Sequence, residues 1–117
     1  MPFDGPMTYT RREAGRDGVV VMTLVGPLTL RNIFEFQKEI AVDPPNGMVF
    51  DLSQVEYMDS AGLGVLVNYF VSAQRNGRQM ALAGVSERLE ALLEMTKVKD
   101  LLRCFPTAEL AEAALSL

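Results

Sequence analysis

The sequence predicts an α/β domain, a small mixed, mostly parallel β-sheet with crossover helices, in the order β-β-α-β-α-β-α-β-α. Three observations predict it. The apolar runs VVVMTLV (19–25), MVFDLS (48–53) and QMALAGV (79–85) have the length and continuity of strands covered on both faces. Segments with helical apolar periodicity separate them. Glycine, proline or asparagine closes most segments. Strands that alternate with helices are joined by crossovers, which make neighbouring strands parallel.

Each element has a local reason. MTYTRRE (7–13) alternates polar and bulky residues and reads as an edge strand, and AGRDG (14–18) as the turn after it. Gly26 and Pro27 close the strand 19–25. Thr29 is placed to cap a helix from Leu30 to about Ala41. Leu30, Ile33, Phe34, Gln37, Ile40 and Ala41 fall on one face of it, and Arg31, Glu35, Lys38 and Glu39 on the other. DPPNG (43–47) ends that helix before the strand MVFDLS. A helix from Ser60 to Asn76 stops at Gly77, a residue suited to the left-handed conformation that follows a helix end. Ser86 caps a helix with Leu89, Leu92 and Leu93 on one side. LLRCF (101–105) is a short strand ended by Pro106. Thr107 caps a last helix with Leu110, Ala113, Ala114 and Leu117 at i, i+3, i+4 and i+7. Residues 1–117 read as one domain with 1–6 as a loose leader, without repeat or linker.

Composition excludes several functions. The net charge is −4; residues 1–40 are neutral and the acidic excess lies in 41–117. Such a balance disfavours nucleic acid or anionic lipid as the main partner, because phosphates reward basic patches. No apolar run approaches the ~20 residues of a membrane span, and no signal-peptide pattern opens the chain. One cysteine, Cys104, permits no internal disulfide, which suits the cytoplasm. There is no histidine, so a Ser-His-Asp triad has no proton carrier. The usual zinc and non-haem iron ligand sets fail for the same reason. No metal, cofactor or catalytic residue is expected.

The stretch QVEYMDSAGLGVLVNYF (54–70) is where function is expected. It carries a strand into a helix, at the carboxyl end of the sheet, where the functional loops of such folds gather. Ser60 there admits three readings. It is a plain N-cap, worth about 1 kcal/mol. It is half of a G-x-S-x-G nucleophile elbow, which fails on Met58 in the first glycine's place and on the missing histidine. Or it is a phosphate acceptor at the positive end of a helix, with Gly62 and Gly64 leaving the first turn unobstructed. Asp59 either orients Ser60 or is itself the cap. A wheel puts Leu63, Leu66, Val67, Phe70 and Gln74 toward the sheet. It puts Ala61, Val65, Asn68 and Ser72 outward, with Tyr69 at the margin. That outer stripe carries no charge, as a protein-binding face would.

Other residues have structural readings. Asp51 sits near a strand end, hydrogen-bonded by the next loop. The methionines fill gaps in the core. Cys104 reads as a small buried hydrophobe. Arg75 and Arg78 flank the Gly77 turn and complement the negative end of the helix.

MDSAGLGVL (58–66), following VFDLS (49–53) and VVVMTLVG (19–26), resembles the STAS-domain family, and within it the bacterial anti-sigma factor antagonists. The resemblance spans about residues 8–114. It implies a small sheet with helices packed on it, and a partner-switching role. By that resemblance Ser60 is phosphorylated by an anti-sigma factor that is also a serine kinase. The unphosphorylated protein binds that kinase, and a metal-dependent serine phosphatase reverses the modification. The chain would then be substrate and binder rather than enzyme. Its partner-binding residues would be Asp59, Ser60, Ala61, Gly62, Val65, Asn68 and Tyr69. The runner-up is a STAS module that is never phosphorylated and serves as a scaffold or transporter-associated domain. Two positions depart from the family pattern. Gly26-Pro27-Leu28-Thr29 stands where many members have G-E-L-D, and Ala61 where a second hydroxyl is common. The end of the strand 19–25 is expected to lie close to Ser60.

Overall fold

The computed structural model describes residues 6–15 and 18–115. Within them the elements follow the expected order: β1 (Thr8–Glu13), β2 (Val19–Val25), α1 (Phe34–Ala41), β3 (Gly47–Gln54), α2 (Ser60–Arg75), β4 (Gln79–Ala83), α3 (Glu87–Met95), β5 (Cys104–Phe105) and α4 (Ala108–Ala114). The strands lie side by side in chain order. β1 pairs antiparallel with β2, and β2 through β5 pair in parallel. Residues 16–17 of the expected turn and 1–5 of the expected leader lie outside the described residues.

Strand alternation sorts the apolar runs onto two faces. Val20, Met22, Leu24, Met48, Phe50, Met80 and Leu82 meet α1, α2 and α3 through Phe36, Ile40, Leu66, Tyr69, Leu89 and Leu93. Val19, Val21, Val49, Ala81 and Ala83 meet Ala108, Ala111 and Leu115 on the other face. Both faces of β2, β3 and β4 are therefore covered, which is why these strands read as continuous apolar runs. Of the methionines, Met22, Met48, Met58 and Met80 are buried, whereas Met95 is exposed.

Ser86 and Thr107 cap as expected: their side chains accept from the N–H groups of Leu89 and Leu110. The apolar faces of two helices differ from expectation. In α1, Ile33, Phe36 and Ile40 point inward, while Leu30, Phe34, Gln37 and Ala41 are exposed. In α4 the inner face is Ala108 and Ala111, which pack with Leu115 on Val19, Val21, Val49, Ala81 and Ala83. Leu110 is left in solvent, and Leu117 lies outside the described residues. β4 ends at Ala83 because Gly84 turns the chain with φ 68°, its Cα so close to Ser53 that a Cβ would come within 2.7 Å. β5 keeps only two residues of LLRCF. Cys104 is exposed rather than buried, since among the described residues no strand pairs with the outer side of the edge strand carrying it.

Candidate functional site

The site is built where β3 leaves the sheet. One extra residue enters β3 between Asp51 and Gln54 relative to β2, and the Asp51 carboxylate accepts from the Ser53 N–H at 3.0 Å inside this bulge. Beyond the sheet the two chains stay together. Gly26 N–H donates to the Gln54 carbonyl at 3.0 Å and Leu28 N–H to the Tyr57 carbonyl at 2.9 Å, and Leu28 forms a parallel bridge with Met58. The segment after β2 thus runs beside the entry to α2, as expected.

Asp59 closes the junction. Its Oδ1 accepts from Gly62 N–H at 2.9 Å and its Oδ2 from Leu30 N–H at 3.1 Å. Asp59 is therefore the N-cap and Ser60 the first helical residue. This decides between the two capping readings, and it leaves the exposed Ser60 hydroxyl free of capping duty. Gly62 is needed for a different reason from the one expected. A Cβ there would lie 2.2 Å from the Leu28 carbonyl oxygen, so the missing side chain admits the neighbouring segment rather than a visitor. Gly64, in contrast, faces open space.

Thr29 does not cap a helix. Its N–H donates to Asn32 Oδ1 at 2.8 Å, and Asn32 Nδ2 donates to the Pro27 carbonyl at 2.6 Å. This side-chain staple makes a tight turn of the residues expected to form the first helical turn. α1 consequently starts at Phe34, with Ile33 in the cap position and no side-chain cap. The Thr29 hydroxyl is buried without a hydrogen-bond partner.

The wheel for α2 is rotated from expectation by roughly one residue, ~100°. Gly62, Leu63, Val65, Leu66, Tyr69 and Ala73 are buried. Val65 is only 3% exposed, Tyr69 6%, and Phe70 half-buried. Two contacts fix this phase: Gly62 against Leu28, and the Tyr69 ring edge-on to Phe50 at 5.2 Å between centroids. Of the residues expected on the partner face, Asp59, Ser60, Ala61 and Asn68 keep surface. Gly62, Val65 and Tyr69 are turned inward rather than outward.

The sequence reading placed two other residues inside that the structure leaves outside. Leu30, tethered through its N–H to Asp59, is 57% exposed, and Phe34 at the start of α1 is 60% exposed. Both are apolar and lie on the segment joined to the Ser60 junction. Local periodicity held no signal for them, because the Asn32 staple changes the helical phase. Among the described residues no group of three or more acidic or cysteine side chains could hold a metal ion. No described helix is long and apolar enough to cross a membrane.

The chain is similar in sequence to anti-sigma factor antagonists, and its fold is shared both by such antagonists and by a sulfate transporter family protein from Wolinella succinogenes, which superposes with a TM-score of 0.72 over 88% of each chain at 21% identity. It is 44% identical over 52 residues to the anti-sigma-B factor antagonist of Listeria monocytogenes, covering 44% of this chain and 46% of that protein. It is 32% identical over 74 residues to the anti-sigma-B factor antagonist of Staphylococcus aureus, covering 63% and 68% of the two chains. The match thus spans about half the length of the Listeria relative. The crystal structure of an anti-sigma factor antagonist from Mycobacterium paratuberculosis superposes with a TM-score of 0.84 over 96% of this chain and 95% of that one, at 22% identity, which establishes a shared fold. The STAS domain model matches residues 12–111, nearly all of the sheet and its helices, and the chain belongs to the STAS domain family.

Proposed function

We propose that this chain is an anti-sigma factor antagonist, switched by phosphorylation at Ser60. The observation that carries the reading is the division of labour at the junction. Asp59 caps α2 with one carboxylate oxygen and holds the Leu30 segment with the other, so the neighbouring Ser60 hydroxyl is exposed and uncommitted. The partner is an anti-sigma factor that is also a serine kinase. Its surface meets Ser60, Ala61 and Asn68, with Leu30 and Phe34 as apolar anchors in place of Val65 and Tyr69. Phosphoryl transfer joins Ser60 Oγ to the γ-phosphorus of ATP, releases ADP, and passes the hydroxyl proton to the kinase. ATP and Mg²⁺ belong to the kinase, and a metal-dependent serine phosphatase removes the phosphate by hydrolysis.

The electrostatics make one modification selective. A phosphoserine carries about −1.5 to −2 charge at pH 7. The helix N-terminus favours that charge, and Asp59 beside it opposes it, so the fold changes little in stability. A partner surface packed on Ser60 must desolvate the dianion, which costs far more than the dipole returns.

The test is incubation with the anti-sigma kinase and ATP, followed by intact-mass analysis and binding measurements. The expected result is one phosphate, absent in Ser60→Ala, and loss of the complex on phosphorylation. Ser60→Ala should bind constitutively, and Ser60→Asp should fold and bind poorly. No phosphate, or a phosphate that Ser60→Ala still takes up, would overturn the switch in favour of a STAS scaffold or transporter-associated module that is never phosphorylated.

A further inference from the structure

Tyr69 lies nine residues along α2 from Ser60, about 13 Å at the helical rise. There, between α1 and α2, is a cavity of about 210 Å³. Ile40, Pro44 and Val65 make its wall largely apolar, and Gln37 and Asn68 add neutral polar groups. Two atoms of the residues that line it, the Tyr69 hydroxyl and Nη1 of Arg78, are buried without a well-formed hydrogen bond, and the Arg78 guanidinium is the group that approaches the hydroxyl. Buried donors left unmade are costly and uncommon. The other guanidinium nitrogen of Arg78 donates to Ser72 Oγ at 3.1 Å, and the group stands 5.4 Å from the Tyr69 ring centroid. Among the described residues no carboxylate pairs with Arg78. The charges that act on the Tyr69 hydroxyl are Arg78 and Arg11, both positive. A chain of net charge −4 thus keeps a cation without a carboxylate partner, among the described residues, beside a largely apolar cavity.

We infer that this cavity binds a small organic monocarboxylate. Its carboxylate accepts from Arg78 and the Tyr69 hydroxyl, and its apolar body lies along Ile40 and Val65. A cavity of about 150 Å³ already takes a benzene ring, so a single ring or a short branched chain fits here. Arg78 is the one charged side chain among the residues that line the cavity, and its guanidinium matches one carboxylate. The proposal is independent of Ser60 and of any kinase.

The experiment is a backbone amide NMR titration of the full chain with benzoate, and with benzyl alcohol as the uncharged control. Benzoate should give saturable shifts confined to residues 37–44 and 65–78, and benzyl alcohol none. Arg78→Gln should weaken benzoate binding at least tenfold and Tyr69→Phe several-fold, with both variants retaining the native spectrum elsewhere. An equal response to benzyl alcohol, or unchanged binding in Arg78→Gln, would show a cavity without a carboxylate anchor and overturn the proposal. Absence of saturation below roughly 10 mM would do the same.

Discussion

The backbone N–H of Leu30 donates to the carboxylate of Asp59 across 29 residues of sequence, and the same carboxylate caps α2 through Gly62. One side chain therefore sets the position of the exposed serine and of the apolar segment beside it. The two roles can be separated. Asp59→Ala should cost about 2 kcal/mol, the sum of a lost cap and a lost charge-assisted bond. Asp59→Asn can still accept from Gly62 with its one carbonyl oxygen, but its amide nitrogen cannot accept from Leu30. It should cost less than half as much and loosen the 27–33 segment selectively. Urea unfolding reads the first effect and amide exchange at Leu30 the second.

The two glycines of the first turns should respond oppositely to alanine. Gly62→Ala puts a methyl 2.2 Å from the Leu28 carbonyl oxygen, a backbone atom that moves only with its whole segment. Overpacking of this kind costs about 1–3 kcal/mol. Gly64→Ala meets nothing within 4 Å and should stabilise α2 by about 0.5–1 kcal/mol, the ordinary helix preference for alanine. Equal shifts of the urea midpoint in the two variants would show that the Leu28 contact does not constrain the helix.

Val65 and Phe70 exchange the roles that the sequence pattern assigns them. Val65→Ala should destabilise by about 1–2 kcal/mol for lost burial and cavity, and Val65→Lys should leave little folded protein. Phe70→Ala, half-buried to start with, should fall short of the ~3–5 kcal/mol of a fully buried phenylalanine. Thermal or urea melts of the three variants decide it.

The errors behind that exchange have physical causes. β2 was legible residue for residue because a run of β-branched side chains between turn residues has one interpretation. The junction and the serine at its exit were legible because a strand, a short polar connection and a helix start each leave a local mark. The helical phases of α1, α2 and α4 were not. α2 is apolar nearly all round, with Leu63, Val65, Leu66, Val67, Tyr69, Phe70 and Val71 in one stretch, so its periodicity is flat. The tie is broken by Leu28 and Phe50, which are distant in sequence. α1 is shortened by Asn32 and by Asp59, which takes the N–H of the residue expected to begin it. In α4 the inward positions are Ala108 and Ala111, followed by Leu115, rather than Leu110, a phase set by the strand residues beneath the helix.

Leu30 and Phe34 should reveal the partner surface that the buried Val65 cannot. Leu30→Ser and Phe34→Ser remove exposed apolar side chains and should change stability by less than about 0.5 kcal/mol. Each should weaken the complex with the anti-sigma kinase at least tenfold, about 1.4 kcal/mol. Calorimetric titration of the unphosphorylated protein measures this, and unchanged affinity in both would move the interface to the far side of Ser60.

Alkaline pH should act on the fold through Tyr69. Burial raises its phenol above the ordinary value of 10.0, although Arg78 and Arg11 pull the other way. The unfolded chain then loses this proton first. The contribution of Tyr69 to stability is complete below pH 10 and falls as the pH climbs beyond it. Tyr69→Phe should flatten this part of the stability curve between pH 9 and 11, roughly the range over which a tyrosine titrates. Parallel curves for the two proteins would place the alkaline sensitivity in other groups.

The bridge between Leu28 and Met58 has an evolutionary corollary. Two connecting segments are locked together by position, with Gly62 reserving the place of one carbonyl. A one-residue insertion in 26–28 or 55–58 would turn Leu28 out of the core and drive a side chain into that place. Lineages carrying this junction should therefore diverge by exchanging the residues at 61, 64 and 68 while holding the length of both connections fixed. New partner preferences would arise by repainting this surface rather than by resizing its loops.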